Sequence, residues 1–320
     1  MKNSLTKDIA RALRNSAIAV KGCYFPGCSE KSIKAHSISN ARLLLRLSDN
    51  GKVMYFDKEH TKAGTLVETG RGVASTFGGF CGTHDKIFLP IDAEDYITGD
   101  AKQCYLFAMR ASAKELSTKL TVQHTFNEQL QEGILAGYPI DTTALEYYRE
   151  GLDIGTQDLQ SFRKIFTDTF PKSKFGVIET TEITADRELP MAVCSTFNIE
   201  LSPDGKIIND LSPSGYGSRV KPCFITVFPQ NGKTYCLLSY FRRDRRDFEF
   251  LKELSKGAEL EKEVLISNLI TVYTENFVMN PSHWQKLEEA TKSKYAEIYE
   301  NSMFSGPRKF VFDESFTLFL

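Results

Sequence analysis

Three observations predict an α+β fold. Between Lys174 and Phe241 the runs FGVIETTEI, AVCSTFNIEL, FITVFP and TYCLLSYF are rich in β-branched and aromatic residues, as strands are. The stretches on either side repeat apolar residues at helical spacing. The first ninety or so residues do neither consistently, and they hold Cys23, Cys28, Cys81 and His84 in two close pairs. The chain therefore divides into a ligand-bearing segment over residues 1–97, a helical connector over 98–172, and an α+β unit over 173–320. In that last unit an antiparallel sheet is followed by C-terminal helices.

Residues 4–20 bring Ile9, Leu13, Ile18 and Val20 to roughly one face, so an amphipathic helix is expected. Pro26 and Gly27 supply the tight turn that lets Cys23 and Cys28 face one point. Ser39 is a candidate cap for a short helix, ARLLLRL, which ends at the turn Asp49-Asn50-Gly51. Lys52 to Asp57 reads as a strand. Glu59 to Gly79 is rich in Gly, Thr and Ser and reads as a long loop, and His60 lies in it. Cys81 to Asp85 opens a helix toward Phe88 that Pro90 stops.

From about Thr98 a helix places Cys104, Phe107, Ala108, Ala111 and Leu116 together and runs toward Leu130. A second, from about Thr143 to Thr169, ends at Pro171 and is expected to pack antiparallel on the first. In the sheet, Pro203-Asp204-Gly205 marks a turn before KIIND. Gln230-Asn231-Gly232-Lys233 marks a hairpin turn between FITVFP and TYCLLSYF. Helix is expected again after Arg246 through Val272, and from Ser282 to Ser302 behind the start signal Asn280-Pro281. FVFDESFTLF reads as a final strand.

Acids and bases nearly cancel, 41 against 40, so no overall field draws the chain to nucleic acid or to an anionic membrane. A nucleic-acid partner would need a local basic patch. Seven irregularly spaced cysteines do not resemble a disulfide framework. Cys104, Cys194, Cys223 and Cys236 sit among apolar residues and read as buried free thiols in a reducing compartment. Arg11, Arg14 and Asn15 interrupt the apolar character of the N-terminal stretch, and no run is long enough to span a bilayer. A cytoplasmic protein with no membrane partner is expected.

The chemistry is concentrated in the two ligand pairs. Zinc takes thiolate and imidazole in a tetrahedron, and Cys23, Cys28, Cys81 and His84 offer three of one and one of the other. A helix starting near Cys81 would favour its thiolate form. Structural zinc contributes roughly 10–16 kcal/mol in small modules, which suits a segment with much Gly and few core residues. The alternative is that these four residues are unrelated.

A knuckle, a hairpin-like middle and a ligand pair on a helix make up the treble-clef arrangement. KAHSIS, GKV, STFGGFCGTHD and PID resemble the zinc-stabilised HNH endonucleases, and in particular uncharacterised bacterial HNH-like proteins, over roughly residues 20 to 95. The resemblance implies phosphodiester hydrolysis of DNA or RNA with His36 as general base. It implies Zn2+ as the structural ion and Mg2+ or Mn2+ as the catalytic one, with Asp85 where the family often has a metal ligand. The chain departs from the family pattern in three places. Lys34 and Ala35 stand where an acid or histidine commonly precedes the catalytic histidine. No Asn occupies the matching later position, although Asn40 and Asn50 are nearby. The stretch between His36 and Cys81 is long. An inactive relative that keeps the zinc and binds nucleic acid is therefore included in this reading. The alternative is a zinc-stapled interaction protein whose C-terminal α+β unit binds a protein partner, with His36 as a hydrogen-bonded core residue or a zinc ligand in place of His84.

Other candidates are weaker. Arg242, Arg243, Arg245 and Arg246 can hold phosphates, but the interleaved Asp244 and Asp247 suggest a solvated, partly self-paired loop. Arg42 and Arg46 can face nucleic acid or simply solvent. SPSGYGSR lacks the ending of a P-loop. His124 reads as exposed, Trp284 as a core anchor, and Glu115 with Arg110, and Asp141, show no partner that would argue for catalysis.

Overall fold

A computed structural model describes residues 2–20, 22–56, 64–128, 142–304, 306–308 and 310–320. Its centre is a seven-stranded antiparallel sheet, in the order β3-β2-β9-β6-β7-β8-β5. The strands are β2 (Lys52–Phe56), β3 (Leu66–Gly70), β5 (Ile178–Ala185), β6 (Met191–Phe197), β7 (Cys223–Gln230), β8 (Lys233–Phe241) and β9 (Phe277–Met279). A separate two-stranded pair joins β1 (Ala35–His36) to β4 (Thr76–Phe77).

The helices are α1 (Lys2–Ala19), α2 (Leu45–Leu47), α3 (Leu89–Asp92), α4 (Ala101–His124), α5 (Thr142–Thr169), α6 (Phe250–Leu254), α7 (Glu259–Tyr273), α8 (Pro281–Lys286) and α9 (Glu289–Phe304). The expected mixed fold, with an antiparallel sheet and C-terminal helices, is the one observed.

Because strand side chains alternate, the sheet feeds two cores. Val53, Tyr55, Ala192, Cys194, Phe224, Leu237 and Val278 point to the side covered by α4 and α5. Met54, Met191, Val193, Ile225, Leu238, Phe277 and Met279 point to the other side, covered by α6, α7, α9 and the C-terminal residues. Burial on both faces explains why β7 is buried throughout and reads in sequence as an unbroken apolar run.

The antiparallel pairing of α4 and α5 is seen in the bond from the Tyr105 hydroxyl to the Phe166 carbonyl near one end, at 2.6 Å. Gln123 bonds Asp153 near the other, at 2.5 Å. The hairpin turn is as expected. Gln230 pairs with Lys233, and Asn231 and Gly232 have φ of 53° and 79°, the two positive values that a type I′ turn requires.

Several expectations are corrected. The stretch read as one long loop from Glu59 to Gly79 contains β3 and β4, while 57–63, with His60, lie outside the described residues. The long insert between β1 and β4 thus provides the β2–β3 hairpin, which enters the main sheet where Met54 meets Met279 on β9. Pro90 does not stop a helix but sits in the first turn of α3, where its missing N–H costs nothing. The turn expected before KIIND is present, with Gly205 at φ +83° and a bridge from Leu201 to Ile207 across it.

FVFDESFTLF is no strand. Phe310, Phe316 and Leu318 enter the second core from irregular backbone, pinned by bonds such as Leu318 N–H to Ser267. The expected helix from Ser282 to Ser302 is broken at Leu287, which is extended and buried. Its start is as expected, with the Asn280 side chain accepting from the His283 N–H. Leu130 and Asp141 lie outside the described residues.

Candidate metal centre

The first ligand pair is set by a turn. Gly27 has φ +77°, and the Cys28 N–H reaches back to the Phe25 carbonyl at 3.3 Å. The knuckle is tied to the second pair through Tyr24 N–H to Gly79 O, at 2.6 Å, and Ile33 N–H to Phe80 O, at 2.8 Å. Arg163 of α5 donates to the carbonyls of Tyr24 and Cys23. The second pair sits at the head of a tight 3-10 turn, His84–Phe88, where the Asp85 N–H bonds the Cys81 carbonyl.

Cys23, Cys28, Cys81 and His84 converge, with their ligand atoms all within 4.8 Å of one another. Cys28 Sγ lies 3.8 Å from Cys81 Sγ. His84 Nδ1 lies 3.3 Å from Cys23 Sγ and 3.2 Å from Cys81 Sγ. A tetrahedron with usual zinc bond lengths has S···S edges of about 3.8 Å and S···N edges of about 3.6 Å. The donor set and its spacing therefore fit one ion, and the cluster can hold a metal such as zinc.

Phe25 stacks on the His84 ring at 4.3 Å and 15°, fixing its plane. Burial pushes the Cys81 thiol up to about 11 and the Glu30 side chain raises it further, outweighing the backbone N–H groups of His84 and Thr83, which act in the expected direction and lower it. A bound cation is what would favour the thiolate there.

His36 does not join the four ligands. It is half-buried on β1, opposite Thr76, with Nε2 at 3.3 Å from the Arg71 carbonyl oxygen. If Nε2 carries the proton and donates to that carbonyl, Nδ1 is left with a free lone pair. Burial lowers the His36 pKa from its ordinary value, partly opposed by the Arg71 carbonyl. Lys34 lowers it further, and Asp85 and Asp92 act the other way.

Asp85 is raised by burial and by Asp92, and lowered by Arg110 and His36. Asp92 is held in a two-pronged pair with Arg110 of α4, at 2.6 and 2.7 Å. The Arg110 guanidinium is buried and lies 4.2 Å from the Phe88 ring centre.

Asp92 and Arg110 were not legible as a pair, since eighteen residues and a change of helix separate them. PID was the only sign of the first. Ser39 does not cap its helix but donates to the Asp92 carbonyl. Asn40 is taken by Arg71, and Asn50 is a turn residue with φ 51°.

Arg42 pairs with Asp95 and Gln230, and Arg46 with Glu188, so both tie α2 and its neighbourhood to the body of the protein. His124 is half-buried and bonded to Ser16 at 3.1 Å, not exposed. Trp284 packs edge-on to Tyr295, as a core anchor does. Cys104, Cys194, Cys223 and Cys236 are buried and free, as expected.

A cavity of about 430 Å3 lies apart from this centre, lined by Glu115, Lys119, Thr196 and Glu275 among others. It contains neither His36 nor a ligand cysteine. Among the described residues, no helix is long and apolar enough to cross a membrane. Searches against protein-family models, curated proteins and solved structures found no match.

Proposed function

We propose that the chain is a zinc-stapled nuclease of HNH-like type, hydrolysing phosphodiester bonds in DNA or RNA with His36 as general base. The observation that carries this reading is the position of His36. It stands on β1, paired with β4, with Nε2 on the Arg71 carbonyl, and Asp85 follows directly on the ligand His84.

Cys23, Cys28, Cys81 and His84 would hold a zinc ion whose part is structural, tying the knuckle to the 3-10 turn at His84. His36, with its pKa lowered, is neutral near pH 7. With Nε2 donating to Arg71, Nδ1 accepts the proton of a water attacking phosphorus. Magnesium or manganese, taken by Asp85, would neutralise the phosphate and the leaving oxygen. Arg110 holds Asp92 through two hydrogen bonds and is a positioning residue.

The second reading is a zinc-stapled interaction protein with a protein partner on its α+β unit. One observation favours it: Asp92, the other carboxylate near His36, is already committed to Arg110.

The test is cleavage of supercoiled plasmid and of single-stranded RNA, with magnesium or manganese added, by wild type and by His36→Ala. Cleavage by wild type that falls by about 100-fold or more in the variant supports the nuclease. A zinc-loaded wild type that cuts neither substrate removes it and leaves the second reading.

A further inference from the structure

The sequence FRRDRRDF places Asp244 between two pairs of arginines and Asp247 directly after the second, which suggested self-pairing. The fold separates them. Asp244 turns inward, is 1% exposed, and is taken by both arms of Arg219, one of them at 2.9 Å. Asp247 is half-buried between Lys221, at 3.1 Å, and Lys206, at 3.6 Å. Arg242, Arg243, Arg245 and Arg246 are all left exposed.

Arg243 lies over the Phe241 ring at 5.3 Å and is 3.9 Å from Asp244, whose charge Arg219 already meets. Arg242 approaches Glu179 only to 3.9 Å, and Lys252 binds that carboxylate at 3.0 Å. The side chains of Arg245 and Arg246 have no ion-pair or hydrogen-bond partner among the described residues.

Arg242, Arg243 and Arg245 rim a cleft of about 380 Å3 floored by Ile165, Val177 and Phe241. Ring contacts of 6.4, 6.0 and 4.3 Å run from Phe175, beside the cleft, through Phe170 and Phe25 to His84. We infer that this arginine turn is a second, non-catalytic docking surface for the phosphate backbone of a nucleic-acid strand, with the polymer continuing toward the metal centre.

Forked guanidinium groups suit phosphate oxygens, and arginines whose neighbouring acids are engaged elsewhere carry uncompensated charge in a chain that is nearly neutral overall. The choice of a polynucleotide over another polyanion rests on the nuclease reading.

The experiment measures anisotropy of a labelled mixed-sequence oligonucleotide, single-stranded and duplex, bound to full-length protein. No divalent ion is added, so binding is read without cleavage. Arg245→Gln/Arg246→Gln is compared with wild type and with Lys52→Gln/Lys286→Gln, a neutralised pair at a distant part of the fold. Zinc content and Tm confirm that each variant is folded.

The double arginine variant is expected to bind roughly tenfold more weakly at about 0.1 M salt, with a log–log salt slope shallower by about two, while the lysine variant binds as wild type. Equal affinity of the arginine variant and wild type overturns the inference. So does a wild type that binds anionic vesicles of phosphatidylglycerol but neither oligonucleotide. If no substrate is cut but the arginine variant still loses binding, the nuclease reading fails and the docking surface stands.

Discussion

His36 is set by its immediate surroundings: partial burial and a backbone carbonyl on one nitrogen, with Lys34 lowering its pKa and Asp85 and Asp92 raising it. Its native pKa lies below 6.5. Cleavage should therefore rise with pH through that lowered value and be level by neutrality, as a base needed in its neutral form requires. The sign for stability is the same. Between the native value and about 6.5 the unfolded chain holds a proton that the native chain does not, so this contribution is present above 6.5 and lost as pH falls. His36→Gln should remove that part of the pH dependence of Tm.

Cys81→Ser keeps the shape of a ligand and loses its affinity. The purified variant should contain no stoichiometric zinc and be destabilised by at least about 3 kcal/mol, read from metal content and denaturant unfolding. At this scale the ligands were legible, because soft donors in pairs have few other uses. The supporting contacts were not. Nothing local to Phe25, Arg163 or Arg110 shows that they stack on His84, clamp the knuckle carbonyls or hold Asp92, since each meets a partner that only the fold brings near.

Among the elements, α4 is the one that the centre leans on. Its Arg110 is buried, so removing it strands the Asp92 carboxylate. Arg110→Met should cost about 3 kcal/mol. The double variant Arg110→Met/Asp92→Leu should recover part of that cost, which a double-mutant cycle measures.

Elements with strong local signals were legible: the type I′ turn at Asn231-Gly232, the strands β5 to β8, and the pair α4 and α5. The failures have physical causes. β9 is only three residues long and gains its identity from β2 and β6 on either side. β3 lies in polar sequence with little burial, and its pairing with β2 decides it. FVFDESFTLF has a strand's composition, but the second core takes its side chains without a ladder.

In the whole molecule the ligand-bearing segment is not a separate bead. Its β2–β3 hairpin forms one side of the central sheet, joined through Met54 and Met279, and Tyr55 bonds Asn276 at 3.1 Å. Loss of zinc should therefore lower the stability of the main sheet as well, and calorimetry should show one transition shifting rather than a small one disappearing. Val278→Ala, at the buried join, should cost about 2 kcal/mol and shift that same transition.

The most direct test of the central claim is X-ray absorption at the zinc edge on purified protein, with metal content measured on the same sample. One zinc per chain is predicted, with three sulfur neighbours at about 2.3 Å and one nitrogen at about 2.0 Å. A zinc-free protein, or a metal shell made of oxygen and nitrogen alone, would contradict it.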